Sequence, residues 1–97
     1  EKDTYLCTLC ERAFLRELQG GCQVPIGAYT KLNDEELTLF GLIVSLDGKT
    51  IIRDKMTLQN VILNRSPERC EELGINLAQL LLRNGGEEIV KSFRNTV

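Results

Sequence analysis

The sequence contains no histidine. That removes the commonest general base and the commonest metal ligand together, and it rules out a Cys–His nucleophilic pair. An excess of positive charge is also missing. Twelve Lys and Arg stand against 14 Asp and Glu, a net charge of -2 with a pI near 5.1. The signs are mixed along the chain, which argues against a general phosphate-gripping surface. Apolar runs such as Leu80-Leu81-Leu82 fall far short of the ~20 residues that a membrane span needs. There is no internal repeat and no low-complexity tract. No initial Met and no signal-peptide pattern opens the chain. Glu1-Lys2-Asp3 leads almost at once into a helical pattern, as expected of a piece of a longer protein or of a chain whose leader has been removed.

What is present is ordinary for a folded chain: 42% hydrophobic and 27% charged residues over a length of 97. That length suits one domain with a modest core. Residues 4–18 place Leu6, Cys10, Ala13, Phe14 and Leu18 at helical spacing. Gly20-Gly21 ends that helix. Residues 24–32 read as a strand, with Pro25 at its start or on an edge. Residues 36–46 read as a second strand, apolar on both faces and so expected to be the best-buried of the sheet. Asp47-Gly48 signals a hairpin, and a third strand covers about 50–58. Residues 59–65 read as a loop. Ser66-Pro67 opens a second helix with a Ser cap and Pro at the first helical position. Its apolar stripe is Cys70, Leu73, Leu77, Leu80 and Leu81, with Gly74 inside it as a site of close packing. Asn84-Gly85-Gly86 breaks that helix, and Ile89, Val90 and Phe93 mark a short third one. The expected fold class is α+β: a three-stranded antiparallel sheet with helices packed on one face, in the order α-β-β-β-α-α.

Four cysteines are candidates for chemistry. Cys7-x-x-Cys10 resembles a metal or redox pair. A structural zinc site needs four ligands, and neither a second such pair nor a histidine is available. Both residues, like Cys70, are read as small side chains of helix stripes. Disulfides are not expected, because three of the four lie in helices and nothing indicates secretion. Cys22 differs. It sits in a loop behind two glycines that let the chain turn sharply and let a bulky group approach. The preceding helix directs its negative end towards that region, which raises a thiol pKa. Such a thiol suits one-time capture of a strong electrophile better than repeated nucleophilic attack. Spacing alone leaves a functional and an inert Cys22 both open. The acidic groups Asp34-Glu35-Glu36 and Glu87-Glu88 read as solvated turns and helix starts.

The run from Glu11 to Gly27 (Glu11-Arg12, spaced apolar residues, Gly20-Gly21-Cys22, Val24, Pro25, Ile26, Gly27) closely resembles the cofactor-attachment signature of porphobilinogen deaminases. The resemblance continues through Leu46-Asp47-Gly48, Ile51-Ile52-Arg53, Gly74-Ile75-Asn76-Leu77-Ala78, Leu81-Leu82, Gly85 and Ile89. It covers the chain as the third, C-terminal domain of that family (residues 1–97), with the two upstream domains absent. The resemblance implies a transferase of tetrapyrrole biosynthesis that condenses four porphobilinogen molecules into hydroxymethylbilane. It implies a dipyrromethane cofactor held by a thioether at Cys22. The family's catalytic Asp and its arginine cluster belong to the missing domains. By that reading there is no catalytic residue and no metal here, and the isolated piece is inactive. The missing domains are the partners, the location is cytoplasmic, the parent is monomeric, and neither nucleic acid nor membrane is bound. Two alternatives remain. One is a double-stranded-RNA-binding module, which shares the helix–three strands–helix order but needs basic residues where Pro67-Glu68-Arg69-Cys70-Glu71-Glu72 stand. The other is a scaffold domain with Cys22 inert.

Overall fold

A computed structural model describes residues 2–19, 25–33, 35–59 and 67–96. Its elements are α1 (Lys2–Gln19), β1 (Ile26–Asn33), β2 (Glu36–Val44), β3 (Ile51–Leu58), α2 (Pro67–Leu81), a π-helical turn (Leu82–Gly86) and α3 (Glu87–Thr96). The expected class and order hold. The sheet is antiparallel in the order β1-β2-β3. The Ser66 cap and residues 60–65 of the expected loop lie outside the described residues, whereas Gln59 directly follows β3.

The apolar spacing explains the packing. Leu6, Cys10, Phe14 and Leu18 recur every four residues, so they form one stripe of α1, and all four are buried. Cys70, Leu73, Leu77 and Leu81 form the matching stripe of α2. On β2, Leu37, Leu39 and Ile43 alternate inward and are fully buried against those stripes. Register carries the same face outward to the edges. Leu37 lies between Leu32 and Leu58, and Ile43 between Ile26 and Ile52. Fully burying a side chain the size of Phe14 contributes about 3 kcal/mol. At Gly74 the two helices meet closely. A Cβ there would collide with the Cys10 carbonyl oxygen and would lie 2.8 Å from Phe14 N.

β2 is the best-buried strand of the sheet, as expected, but only through one face. Phe40 and Val44 are only half-buried and Leu42 is 37% exposed. Central position in a sheet satisfies a strand's backbone, but it covers a face only where another layer lies on it. All described helices that pack on this sheet lie on the other side. On the open face the ring of Tyr29 stacks on Phe40 with centroids 4.7 Å apart, and Lys55 Nζ lies 5.9 Å from the Phe40 centroid.

The Asp47-Gly48 hairpin is present, but strand β2 stops at Val44, two residues earlier than expected. Ser45 N donates to Thr50 O at 2.9 Å, and Gly48 N donates to Ser45 O at 3.0 Å. Four residues therefore form the turn instead of two. The Asp47 carboxylate accepts from the Ser45 hydroxyl and from Lys49 N. Those bonds hold its pKa below the ordinary value. The expected break at Asn84-Gly85-Gly86 is present as a kink between α2 and α3. Gly85 takes φ +118°, which L side chains rarely adopt.

Candidate functional site

Cys22, the residue singled out from the sequence, lies outside the described residues together with Gly20, Gly21, Gln23 and Val24. The two stems of its segment are described, and both are firmly held. On the entering side, Phe14 and Leu18 of α1 are fully buried. These are the spaced apolar residues of the run that begins at Glu11. On the leaving side, Pro25 O accepts a hydrogen bond from Val44 N at 2.9 Å, and Ile26 pairs with Ile43. Pro25 therefore stands just ahead of β1, where its missing N–H costs no ladder bond. A further bond joins the stems directly: Thr30 Oγ1 donates to Glu11 Oε2 at 2.9 Å in a half-buried setting. Thr30 belongs to β1 and Glu11 to α1. Thr30 is the one residue here that the sequence reading passed over. Its signal was a hydroxyl on the helix-facing side of a strand, between Ala28 and Leu32.

The other cysteines sit where stripe residues should. Cys10 and Cys70 are buried and their thiols meet across the α1–α2 contact. Burial pushes both thiols up from their ordinary pKa, and for Cys10 the neighbouring Cys70 adds to the effect. Both are therefore protonated and inert at neutral pH. Cys7 is half-buried against the same core, and Cys7, Cys10 and Cys70 are free thiols. Among the described residues no three Cys, Asp or Glu side chains converge as a metal would require.

Among the described residues the arginines do not form one cluster. Arg12, Arg16, Arg53, Arg69 and Arg83 are exposed and are spread over α1, β3, α2 and the π turn. Gripping a chain of several carboxylates needs convergent guanidinium groups, and these do not converge. Glu87 and Glu88 are solvated at the start of α3, as expected, with Glu87 paired to Lys91 at 3.4 Å. An apolar cleft of about 430 Å³ lies on the open sheet face over Gly27, Tyr29, Phe40 and Leu42, with Arg53 and Lys55 at one end. Its ionisable lining is Tyr29, Arg53, Asp54 and Lys55, and no thiol is among it. Gly48-Lys49-Thr50 spells the end of a phosphate-loop motif, but it sits in a hairpin, not ahead of a helix. Ile43 also occupies the place of that motif's first glycine. The first turn of α2 carries the acid Glu68 where an RNA-binding module would present cations. Among the described residues no helix is long and apolar enough to cross a membrane.

The described elements define a small α+β domain: a three-stranded antiparallel sheet with helices packed on one face. Comparison with known proteins makes the assignment particular. Residues 5–83 match the family model described as porphobilinogen deaminase, C-terminal domain. The chain belongs to that family. It is 47% identical over 94 residues to the porphobilinogen deaminase of Chlorobium phaeobacteroides (strain BS1), covering 97% of this chain and 29% of that protein. It is 51% identical over 90 residues to that of Prochlorococcus marinus (strain NATL1A), covering 89% and 26%. For the protein of Chlorobaculum tepidum the figures are 42% over 96 residues, covering 99% and 30%. The chain thus spans less than a third of the length of these relatives.

Proposed function

We propose that this chain is the third, cofactor-anchoring domain of a hydroxymethylbilane-forming transferase, with Cys22 as the anchor. The observation that carries the reading is the run from Glu11 to Gly27, within the part of the chain that matches the family. In this reading the parent enzyme joins four porphobilinogen molecules and loses ammonia at each condensation. A dipyrromethane, held by a thioether to Cys22, supplies the two-pyrrole primer on which the product grows. The described residues support this reading through the elements on either side of the Cys22 segment. A tether needs one nucleophile on a loop with fixed stems, and α1 and β1 supply the stems. Keeping the acceptor covalently in place makes each addition effectively intramolecular. The scattered arginines leave the grip on pyrrole carboxylates, and the acid–base chemistry, to the other two domains of the parent. The isolated 97 residues are accordingly inactive. The parent is a cytoplasmic monomer that binds neither nucleic acid nor membrane.

Intact mass and peptide mapping of the full natural chain test this. The expected result is an added dipyrromethane mass on the peptide containing Cys22, and its loss, with activity, in Cys22→Ser. An unmodified Cys22 in active enzyme would sink the proposal.

A further inference from the structure

We propose that the open face of the sheet carries a binding site for a small planar aromatic anion, in the cleft over Gly27, Tyr29, Phe40 and Leu42 with Arg53 and Lys55 at one end. The inference goes beyond the anchoring role and does not rest on it. The strand register builds the cleft. Gly27, Leu42 and Arg53 form one cross-strand row, and Tyr29, Phe40 and Lys55 form the next. Residues two apart on a strand share a face, so both rows stand on the side that no described helix covers. Gly27 contributes no side chain to the first row, which leaves space beside Leu42 at the β1 edge. An added Cβ would enter that space, 3.5 Å from Leu42 Cγ. The resulting volume of about 430 Å³ lies within the roughly 300–1,000 Å³ of small-molecule pockets.

The lining sets the chemistry of the occupant. The Tyr29 and Phe40 rings stack with centroids 4.7 Å apart and planes 8° from parallel. Their facing sides are taken, so they offer the cleft their edges, and ring edges attract the π face of another ring. Arg53 and Lys55 are exposed, and among the described residues neither is in an ion pair. Lys55 Nζ lies 5.9 Å from the Phe40 centroid, so its charge stands beside the rings. Asp54 also lines the cleft, but one of its carboxylate oxygens accepts from Lys55 N at 2.7 Å. Two unpaired cations thus face one engaged acid, in a chain whose net charge is -2. An apolar floor with cations at one end matches a flat ring that carries one carboxylate, sulfonate or phosphate group. Size favours such a ligand over a protein. Three strands of this length present roughly 400 Å² of face, about half of what each side of a stable protein interface buries. Single-stranded nucleic acid fits less well, because its bases need free ring faces to stack on, and these two rings face each other.

The test uses the full natural protein with isotope-labelled leucine methyl groups, read by NMR. The Leu42 signal is assigned by its absence from Leu42→Val. Naphthoate is the probe, and naphthamide is its uncharged counterpart. Naphthoate should shift the Leu42 methyl signals saturably, with a Kd of about 1 mM or tighter. Replacing both cations, Arg53→Gln with Lys55→Gln, should raise that Kd roughly 5- to 30-fold and leave naphthamide unaffected. Added salt should weaken naphthoate alone. Tyr29→Ser should weaken both probes alike, since it removes a ring edge and no charge. If Tyr29→Ser does not fold, the double charge variant decides, because both of its positions are exposed. A Leu42 signal that naphthoate does not move overturns the proposal. So does a double variant that weakens both probes equally or neither. A signal that moves with protein concentration alone would place a second copy on the face, and a single-stranded oligonucleotide that outcompetes naphthoate would make it a nucleic-acid surface. Either result also overturns the assignment to a small anion.

Discussion

Replacing Gly74 by alanine sets two known effects against each other, and the structure decides which wins. Intrinsic helix propensity favours alanine by about 1 kcal/mol in a helix interior. Packing opposes it. The new methyl carbon would lie 2.8 Å from Phe14 N and 2.9 Å from Ala13 Cβ, and closer still to the carbonyl oxygen of Cys10. Comfortable carbon contacts lie near 3.5–4.0 Å. All three obstacles belong to α1, and two are backbone atoms that no rotamer change can move. The helices must therefore separate by roughly 1 Å, a gap that forfeits a quarter to a half of each contact. Phe14, Cys10, Cys70 and Leu77 share that interface. Overpacking of this kind costs about 1–3 kcal/mol. The upper end applies, because the separation runs along both helices. Subtracting the propensity gain leaves a net destabilisation of about 2 kcal/mol. For a chain of this size, that lowers Tm by roughly 8–16 °C. Thermal melting of the 97-residue chain and its Gly74→Ala variant, followed by circular dichroism at 222 nm, measures this directly. An unchanged or raised Tm would show that α1 and α2 do not touch at their backbones, and would refute the reasoning.

Two further outcomes follow from the same packing. Gly85→Ala places a side chain at φ +118° and is expected to cost about 2 kcal/mol, read as a lowered urea midpoint with unchanged slope. An unchanged midpoint would mean that the kink is not fixed at Gly85. The raised Cys10 and Cys70 thiols make stability depend on alkaline pH. The folded chain keeps protons that the unfolded chain releases above the ordinary thiol value of 9.0. Their contribution is full below pH 9 and falls as pH rises further. Urea titrations between pH 8 and 10.5 should show that decline, and a Cys10→Ala, Cys70→Ala double variant should flatten it. An equal slope in the double variant would assign the decline to other groups.

Where periodicity spoke for burial, the sequence was a good guide. Leu6, Cys10, Phe14 and Leu18 fell on one stripe because a helix repeats every 3.6 residues, and the structure buries all four. Gly74 was legible as a close contact, since a glycine inside a strong helical pattern costs stability unless something needs the space. Phe40, Leu42 and Val44 misled, because an apolar pattern on two faces shows where a layer would fit and not that one is there. The strand end at Val44 was missed for a related reason. Leu46 continues the alternation, and only the Ser45 and Asp47 hydrogen bonds make a four-residue turn more favourable than a longer strand. The bond between Thr30 and Glu11 could not be read in advance. Thr30 and Glu11 are ordinary residues in their own elements, and only the antiparallel register and the placement of α1 over β1 bring them together. The Cys22 segment was legible as a resemblance, and what the structure adds is its two stems.

The contact between α1 and α2 also bears on where the chain can be cut short. α1 is the first element in the chain, and the surface that completes its burial is α2, at residues 67–81. The three strands between them pair with their sequence neighbours and can form from local hairpins. A chain cut short before α2 would therefore leave the buried stripe of α1 partly uncovered, so α1 and α2 depend on each other although they stand at opposite ends of the sheet in sequence.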